Sequence, residues 1–189
     1  MTVAFDNTFL TLLLNPASPV RPHPKTGIAT VHMKSRIDTL IDTLTTRRET
    51  LIIPTPAMAE VMCMVRPAAL VLSKLGSYRC IEPYPFDQKC AVTLSDLAHK
   101  HRPEIKKLKS AHDRAWQHVK VDMQIVAVAV TYGADALYTD DDGQASFAEL
   151  CGLNIVRSWE LPLDDKYNQA DLFEGMTGDN GKKPNQGPA

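Results

Sequence analysis

Five carboxylates carry the most chemistry in this sequence: Asp6, Glu60, Asp122 and the adjacent pair Asp140 and Asp141. Asp6 directly follows the apolar triplet Val3-Ala4-Phe5, Glu60 comes shortly after Leu51-Ile52-Ile53, and the aspartate pair directly follows Ala136-Leu137-Tyr138-Thr139. Each acid also has a plain structural reading. Asp6 and Asp122 suit helix N-caps, Asp140 to Asp142 suit a turn, and Glu60 suits a solvated helix position. Convergence changes the physics, because several carboxylates gathered without matching cations repel one another, raise their pKa values and cost stability unless a divalent cation neutralises them. Oxygen-only ligands favour hard cations such as Mg²⁺ or Mn²⁺, and Mg²⁺ keeps waters that phosphate oxygens can replace. The chemistry expected of such a cluster is metal-assisted hydrolysis of a phosphodiester.

Convergence requires elements that bring the acids to one place. Val3 to Phe5 reads as a buried strand, Asp6-Asn7-Thr8 as a polar turn, and Phe9 to Leu14 as a helix. Four prolines between Asn15 and Lys25 predict an irregular loop. From Ile28 to about Arg48, the spacing of Ile37, Leu40, Ile41 and Leu44 predicts a helix with one buried face, and Arg47 and Arg48 suit its C-terminus. Leu51 to Ile53 is a second strand. Pro56 opens a helix carrying Glu60, and Pro67 separates it from a further helix over Ala68 to Leu75.

A third strand is expected near Arg79 to Ile81, followed by a helix containing Val92, Leu94 and Leu97 that breaks at His99 to Pro103. A polar helix from Glu104 to His118 leads into an apolar helix from Met123 to Tyr132, which Gly133 terminates. Ala136 to Thr139 is the fourth strand, Asp140 to Gly143 a turn, Ser146 to Cys151 a short helix and Asn154 to Val156 the fifth strand. Alternation of this kind implies a mainly parallel sheet flanked by helices, with ligands bound beyond the carboxyl ends of the strands. Asp6, Glu60 and the Asp140–Asp141 pair all fall at that edge.

Composition bounds the rest. The chain has 189 residues, 44% hydrophobic and 23% charged, with a formal net charge of −1, which suits one globular domain and advertises no overall polyanion-binding surface. Cys63, Cys80, Cys90 and Cys151 form no CxxC pair and fall in segments read as core or strand edge, so reduced thiols are expected rather than a zinc ribbon. The N-terminus fits no secretory signal, and the longest apolar run, Ile125 to Val130, is far short of the roughly 18 residues of a membrane span. A soluble, cytoplasmic protein without a membrane partner is expected. Residues 1–163 read as one domain and 164–189 as a disordered, polar, glycine-containing tail.

Three blocks of residues resemble a known family, the PIN domain, which is the fold of the VapC-type toxins. The first is Val3-Ala4-Phe5-Asp6-Asn7-Thr8 and the second Ile52-Ile53-Pro54-Thr55-Pro56-Ala57-Met58-Ala59-Glu60-Val61. The third runs from Val121-Asp122-Met123 through Gly133-Ala134-Asp135-Ala136-Leu137 to Tyr138-Thr139-Asp140-Asp141, and ends with Gly152-Leu153-Asn154-Ile155-Val156. The resemblance spans Val3 to about Trp159. It implies a three-layer α/β/α fold with a mainly parallel five-stranded sheet, and a Mg²⁺- or Mn²⁺-dependent endoribonuclease. Asp6, Glu60 and Asp122 take the places of the family's three invariant acids, and Asp140 or Asp141 that of a more variable fourth. Thr139 and Asn7 would act as supporting groups around metal-bound water. The segment between Asn15 and Arg48 is larger than in the smallest members of the family.

Other phosphate-handling folds fit poorly. The second aspartate of dehalogenase-like phosphatases is replaced by Thr8, the receiver pattern of response regulators is missing, and neither GxGxxG nor a Walker A loop occurs. Lys106, Lys107, Lys109, Arg114 and Lys120 could track an RNA backbone or form a solvated face; His112 and His118 allow the same two readings. Met58, Met62, Met64, Val65, Leu70, Val71 and Leu72 supply core or a dimer surface. The resemblance further implies an antitoxin partner and a homodimer. A PIN-type nuclease with a housekeeping RNA or DNA substrate and a nuclease-dead PIN scaffold are the competing functions.

Overall fold

Short β-rich triplets separated by helical stretches can pair in parallel only through crossovers, and the chain does so throughout. The structure, a computed structural model, describes residues 1–111 and 116–164, except for the side chains of 108–111 and 116. Strands β1 (Thr2–Phe5), β2 (Thr50–Pro54), β3 (Ile81–Tyr84), β4 (Ala136–Tyr138) and β5 (Asn154–Val156) form one parallel sheet in the order β3-β2-β1-β4-β5. The helices are α1 (Asn7–Leu14), α2 (Met33–Arg47), α3 (Thr55–Met64), α4 (Ala68–Gly76), α5 (Gln88–Lys100), α6 (Arg102–Ala111), α7 (Trp116–Thr131) and α8 (Asp142–Leu150).

Period-two alternation sorts the strand side chains onto two faces. Val3, Phe5, Leu51, Ile53, Ala136 and Tyr138 join a core covered by α1, α2 and α4, whereas Ala4, Ile52 and Leu137 join one covered by α5, α7 and α8. Helix α3 serves both, through Val61 on the first face and Ala57 on the second. The result is the expected three-layer α/β/α arrangement. Among the described residues no helix is long and apolar enough to cross a membrane.

Several boundaries depart from the sequence expectation. Asn7 and Thr8 already belong to α1, because Asp6 caps that helix. Helix α2 starts at Met33 rather than near Ile28; His32 before it takes a left-handed backbone (φ 57), and Ile28 and Val31 are exposed instead of extending the buried stripe. Strand β3 lies later than Arg79 to Ile81 and includes Pro83, which an edge strand tolerates because one side of its ladder is unpaired. Helix α7 starts well before Met123, since Val119 and Val121 already pack on the second core, and so Asp122 lies inside a helix and is not its N-cap.

Of the polar segment Glu104 to His118, the part up to Ala111 is described as α6, and His118 belongs to α7. His112 and Arg114 lie outside the described residues. Helix α8 starts at Asp142 rather than Ser146, so the expected turn is only Asp140-Asp141. All four cysteines are free, with Cys80 and Cys90 buried and Cys63 exposed on α3 rather than in the core. The expected tail lies, from residue 165 onward, outside the described residues.

Candidate active site

Strands β2 and β3 lie to one side of β1 and β4 and β5 to the other, so the winding of the chain reverses between β1 and β4. The crevice beyond the carboxyl ends of strands at such a switch point is where open α/β sheets bind ligands. The register pairs Phe5 with Tyr138, which sets Asp6 and Thr139 side by side just past the strand ends. The rings of Phe5, Phe9 and Tyr138 pack against one another with centroids 5.3 to 5.5 Å apart, giving this edge a dry apolar floor.

Asp6 is fully buried. Its Oδ1 accepts the Phe9 N–H at 2.7 Å and caps α1, while its Oδ2 is buried with no hydrogen-bond partner. Capping thus uses one oxygen and leaves the other. Burial pushes the carboxyl up from 3.8 to about 7; the Thr139 hydroxyl and the Phe9 N–H pull it down, and the charges of Asp140 and Asp141 push it further up. The Thr139 hydroxyl stands between the Asp6 carboxylate, whose charge it eases, and Gln144 Oε1, 2.9 Å away.

The aspartate pair repeats the pattern. Asp140 is 6% exposed; its Oδ1 accepts the Ser158 N–H at 2.9 Å, and its buried Oδ2 has no partner. Asp141 caps α8 by accepting the Gln144 N–H at 2.9 Å, and its own N–H donates to Thr139 Oγ1 at 3.0 Å. Thr139 thereby fixes the turn that carries both acids.

Glu60, on α3, accepts a hydrogen bond from Asn7 Nδ2 at 2.7 Å, so Asn7 orients a carboxylate. Helix α7 runs toward the amino edge of the sheet, where Asp135 donates its N–H to the Thr2 carbonyl at 2.7 Å; Asp122, in the N-terminal half of α7, therefore belongs to the carboxyl half of the molecule. Helix α3 packs against both α1 and α7. The fold brings Asp6, Asp140 and Asp141 within electrostatic reach of one another and puts Glu60 and Asp122 on adjoining helices. Among the described residues no three His, Cys, Asp or Glu side chains stand close enough together to hold a metal ion. The donor set still suits a hard cation, because two buried carboxylate oxygens, Asp6 Oδ2 and Asp140 Oδ2, lack a donor and the charges of Asp140 and Asp141 press on Asp6.

No family model matches the sequence, and no curated protein matches it. Solved structures do match its fold. VapBC2 from Rickettsia felis, solved with a DNA fragment from its promoter, aligns with a TM-score of 0.51 at 16% identity, over 83% of this chain and 98% of that one. The chain has a VapC-like PIN-domain fold. A DNA-bound VapBC from Salmonella typhimurium gives a TM-score of 0.48 at 13% identity, over 84% of this chain and 98% of that one.

Within this PIN-like fold, several residues at the edge of the crevice were missed by sequence reasoning. Gln144 stands three after Asp141, a capping-box spacing that could have flagged it, although its side chain meets Thr139 instead. Ser158 and Arg157 arrive from the turn after β5, and Arg21 from the proline-rich segment 119 residues before Asp140; no local pattern announces such pairings. Of the expected basic residues, Lys106 and Lys120 line a cleft between α5, α6 and α7 together with His99 and Arg102. Lys107 and His118 are exposed, and the Lys109 side chain is not among those described.

Proposed function

We propose that this chain is a metal-dependent endoribonuclease of the VapC type, the toxin of a toxin–antitoxin pair, acting on RNA in the cytoplasm. The observation that carries the reading is the pair of buried, partnerless oxygens, Asp6 Oδ2 and Asp140 Oδ2, at the switch-point crevice. A buried carboxylate oxygen without a donor costs about 1–3 kcal/mol or more, a cost that a bound cation offsets. Mg²⁺ or Mn²⁺ held by Asp6, Glu60, Asp122 and Asp140 or Asp141 would supply Lewis-acid activation of water for in-line attack on phosphate. The remaining work belongs to the protein. Asn7 fixes Glu60, Thr139 and the Asp141 N–H shape the turn, and the Phe9 N–H anchors Asp6. The exposed Met64, Leu70 and Leu72 of α3 and α4 offer the apolar surface for an antitoxin or a second copy, whereas Val71 is core.

Purified protein incubated with single-stranded RNA should cut it with Mg²⁺ or Mn²⁺ and not with EDTA. Asp6→Asn and Asp122→Asn should each lower the rate by more than the roughly 10–100-fold typical of a supporting residue. Cleavage that survives both substitutions overturns the site, and a wild-type protein that cuts no RNA with either metal overturns the activity.

A further inference from the structure

Two arginines meet beside the acids. Arg21, in the segment between α1 and α2, places Nη1 2.6 Å from Asp142 Oδ2 and donates to the Asp140 carbonyl at 3.1 Å. Arg157, just after β5, places Nη2 3.2 Å from Asp142 Oδ1 and donates from Nη1 to the Thr139 carbonyl at 3.0 Å. Each guanidinium is thus tied to the backbone of the turn that carries the acidic pair, and the two hold opposite oxygens of one carboxylate. That carboxylate is 49% exposed and the Arg21 side chain 45%, so water and competing anions have access to the pair.

A phosphodiester presents the same pattern, two unesterified oxygens on one anionic centre, and arginine forks suit it. An RNA strand entering an acidic crevice is repelled unless cations compensate nearby. We propose that Arg21 and Arg157 form the binding site for an RNA backbone phosphate beside the acidic centre, with Asp142 holding both guanidinium groups until the phosphate displaces it. This rests on the ribonuclease reading above. The site is built rather than incidental. Arg157 is 17% exposed, lies with its guanidinium carbon 5.8 Å from the Trp159 ring centroid, and has its backbone N–H held by Glu160 at 2.7 Å. The His23 ring meets the other partner of this arrangement, Trp159, at 5.6 Å and docks the Arg21 segment on the same turn. Pro16, Pro19, Pro22 and Pro24 restrict the backbone that delivers Arg21.

The test is fluorescence anisotropy of a short labelled single-stranded RNA of mixed sequence, in EDTA across a salt series, with cleavage kinetics in Mn²⁺ alongside. Arg21→Ala should weaken binding about tenfold and reduce the slope of log affinity against log salt by about 0.7, one phosphate contact on a single strand. It should raise KM and leave kcat nearly unchanged. Arg21→Lys should retain the slope. Asp142→Asn should tighten binding several-fold, and the gain should shrink when Arg21→Ala is added. A purely structural ion pair would make Arg21→Ala and Asp142→Asn weaken binding together; that result, an unchanged slope in Arg21→Ala, or no RNA binding by the wild type overturns the proposal. If the wild type cuts RNA while Arg21→Ala alters neither affinity nor slope, the phosphate site falls and the ribonuclease stands. If binding responds as described but no metal supports cleavage, the phosphate site stands and the ribonuclease falls.

Discussion

With its carboxyl lifted to about 7 from 3.8, Asp6 keeps a proton in the folded, metal-free protein over a range where the unfolded chain has already released it. In that window the folded state binds more protons, so the contribution of Asp6 to stability is complete below the unfolded value and is lost as pH rises toward the folded one. Asp6→Asn keeps an oxygen to accept the Phe9 N–H and cannot ionise. In EDTA, urea titrations should therefore show the variant gaining on the wild type by on the order of 2–4 kcal/mol between about pH 4 and pH 8. A difference that stays flat with pH would contradict the buried, charge-crowded environment. In the sequence, Asp6 suits a helix cap and a metal ligand equally. The two carboxylate oxygens allow both, a division that no residue type or spacing encodes. The partner of Asp140, the Ser158 N–H, was equally hidden, because a turn that follows a different strand delivers it.

Helix ends tell a second story at the level of elements. Helices α7 and α8 close with the same pattern: Ala134 N–H to the Ala129 carbonyl with Gly133 N–H to Val130, and Leu153 N–H to Ala148 with Gly152 N–H to Glu149. Gly133 and Gly152 take φ of 73° and 87° there. Helix α2 closes identically, with Glu49 N–H to Leu44 and Arg48 N–H to Thr45, but with Arg48 in the left-handed position at φ 54°. Chemical denaturation should show Arg48→Gly stabilising the protein by about 0.5–1 kcal/mol and Gly133→Ala or Gly152→Ala destabilising it by about 1 kcal/mol. No atom stands within 4 Å of where a Cβ would be built at either glycine, so the cost is that of the backbone alone. Gly133 was legible as a stop because glycine signals the left-handed cap. Arg48 was not, and neither was the reach of α7 back to Trp116, since the apolar residues Val119 and Val121 are interleaved with polar ones.

For the molecule as a whole, alternation of strands and helices was enough to predict a parallel sheet with two helical layers, because burial on both faces and crossover chemistry permit little else. Strand order was beyond that logic. It depends on pairings such as Val3 with Ala136, across most of the chain, and only the order β3-β2-β1-β4-β5 reveals that Asp6 and Thr139 to Asp141 share the switch-point crevice. The position of Arg21 depends likewise on where the proline-rich segment docks. The places of Asp6, Asp140 and Asp141 just after strands could be read from the sequence; what surrounds them could not.

A ribonuclease of the kind proposed would have its buried acids take up a divalent cation in exchange for the proton on Asp6. Isothermal titration of Mn²⁺ into the purified protein, in buffers of different ionisation enthalpy, measures binding and proton release together. Close to one proton should leave per metal at about pH 6 and almost none at about pH 9, and Asp6→Asn should abolish the release and weaken binding. Binding that is unchanged in Asp6→Asn, or a proton count indifferent to pH, would contradict the account.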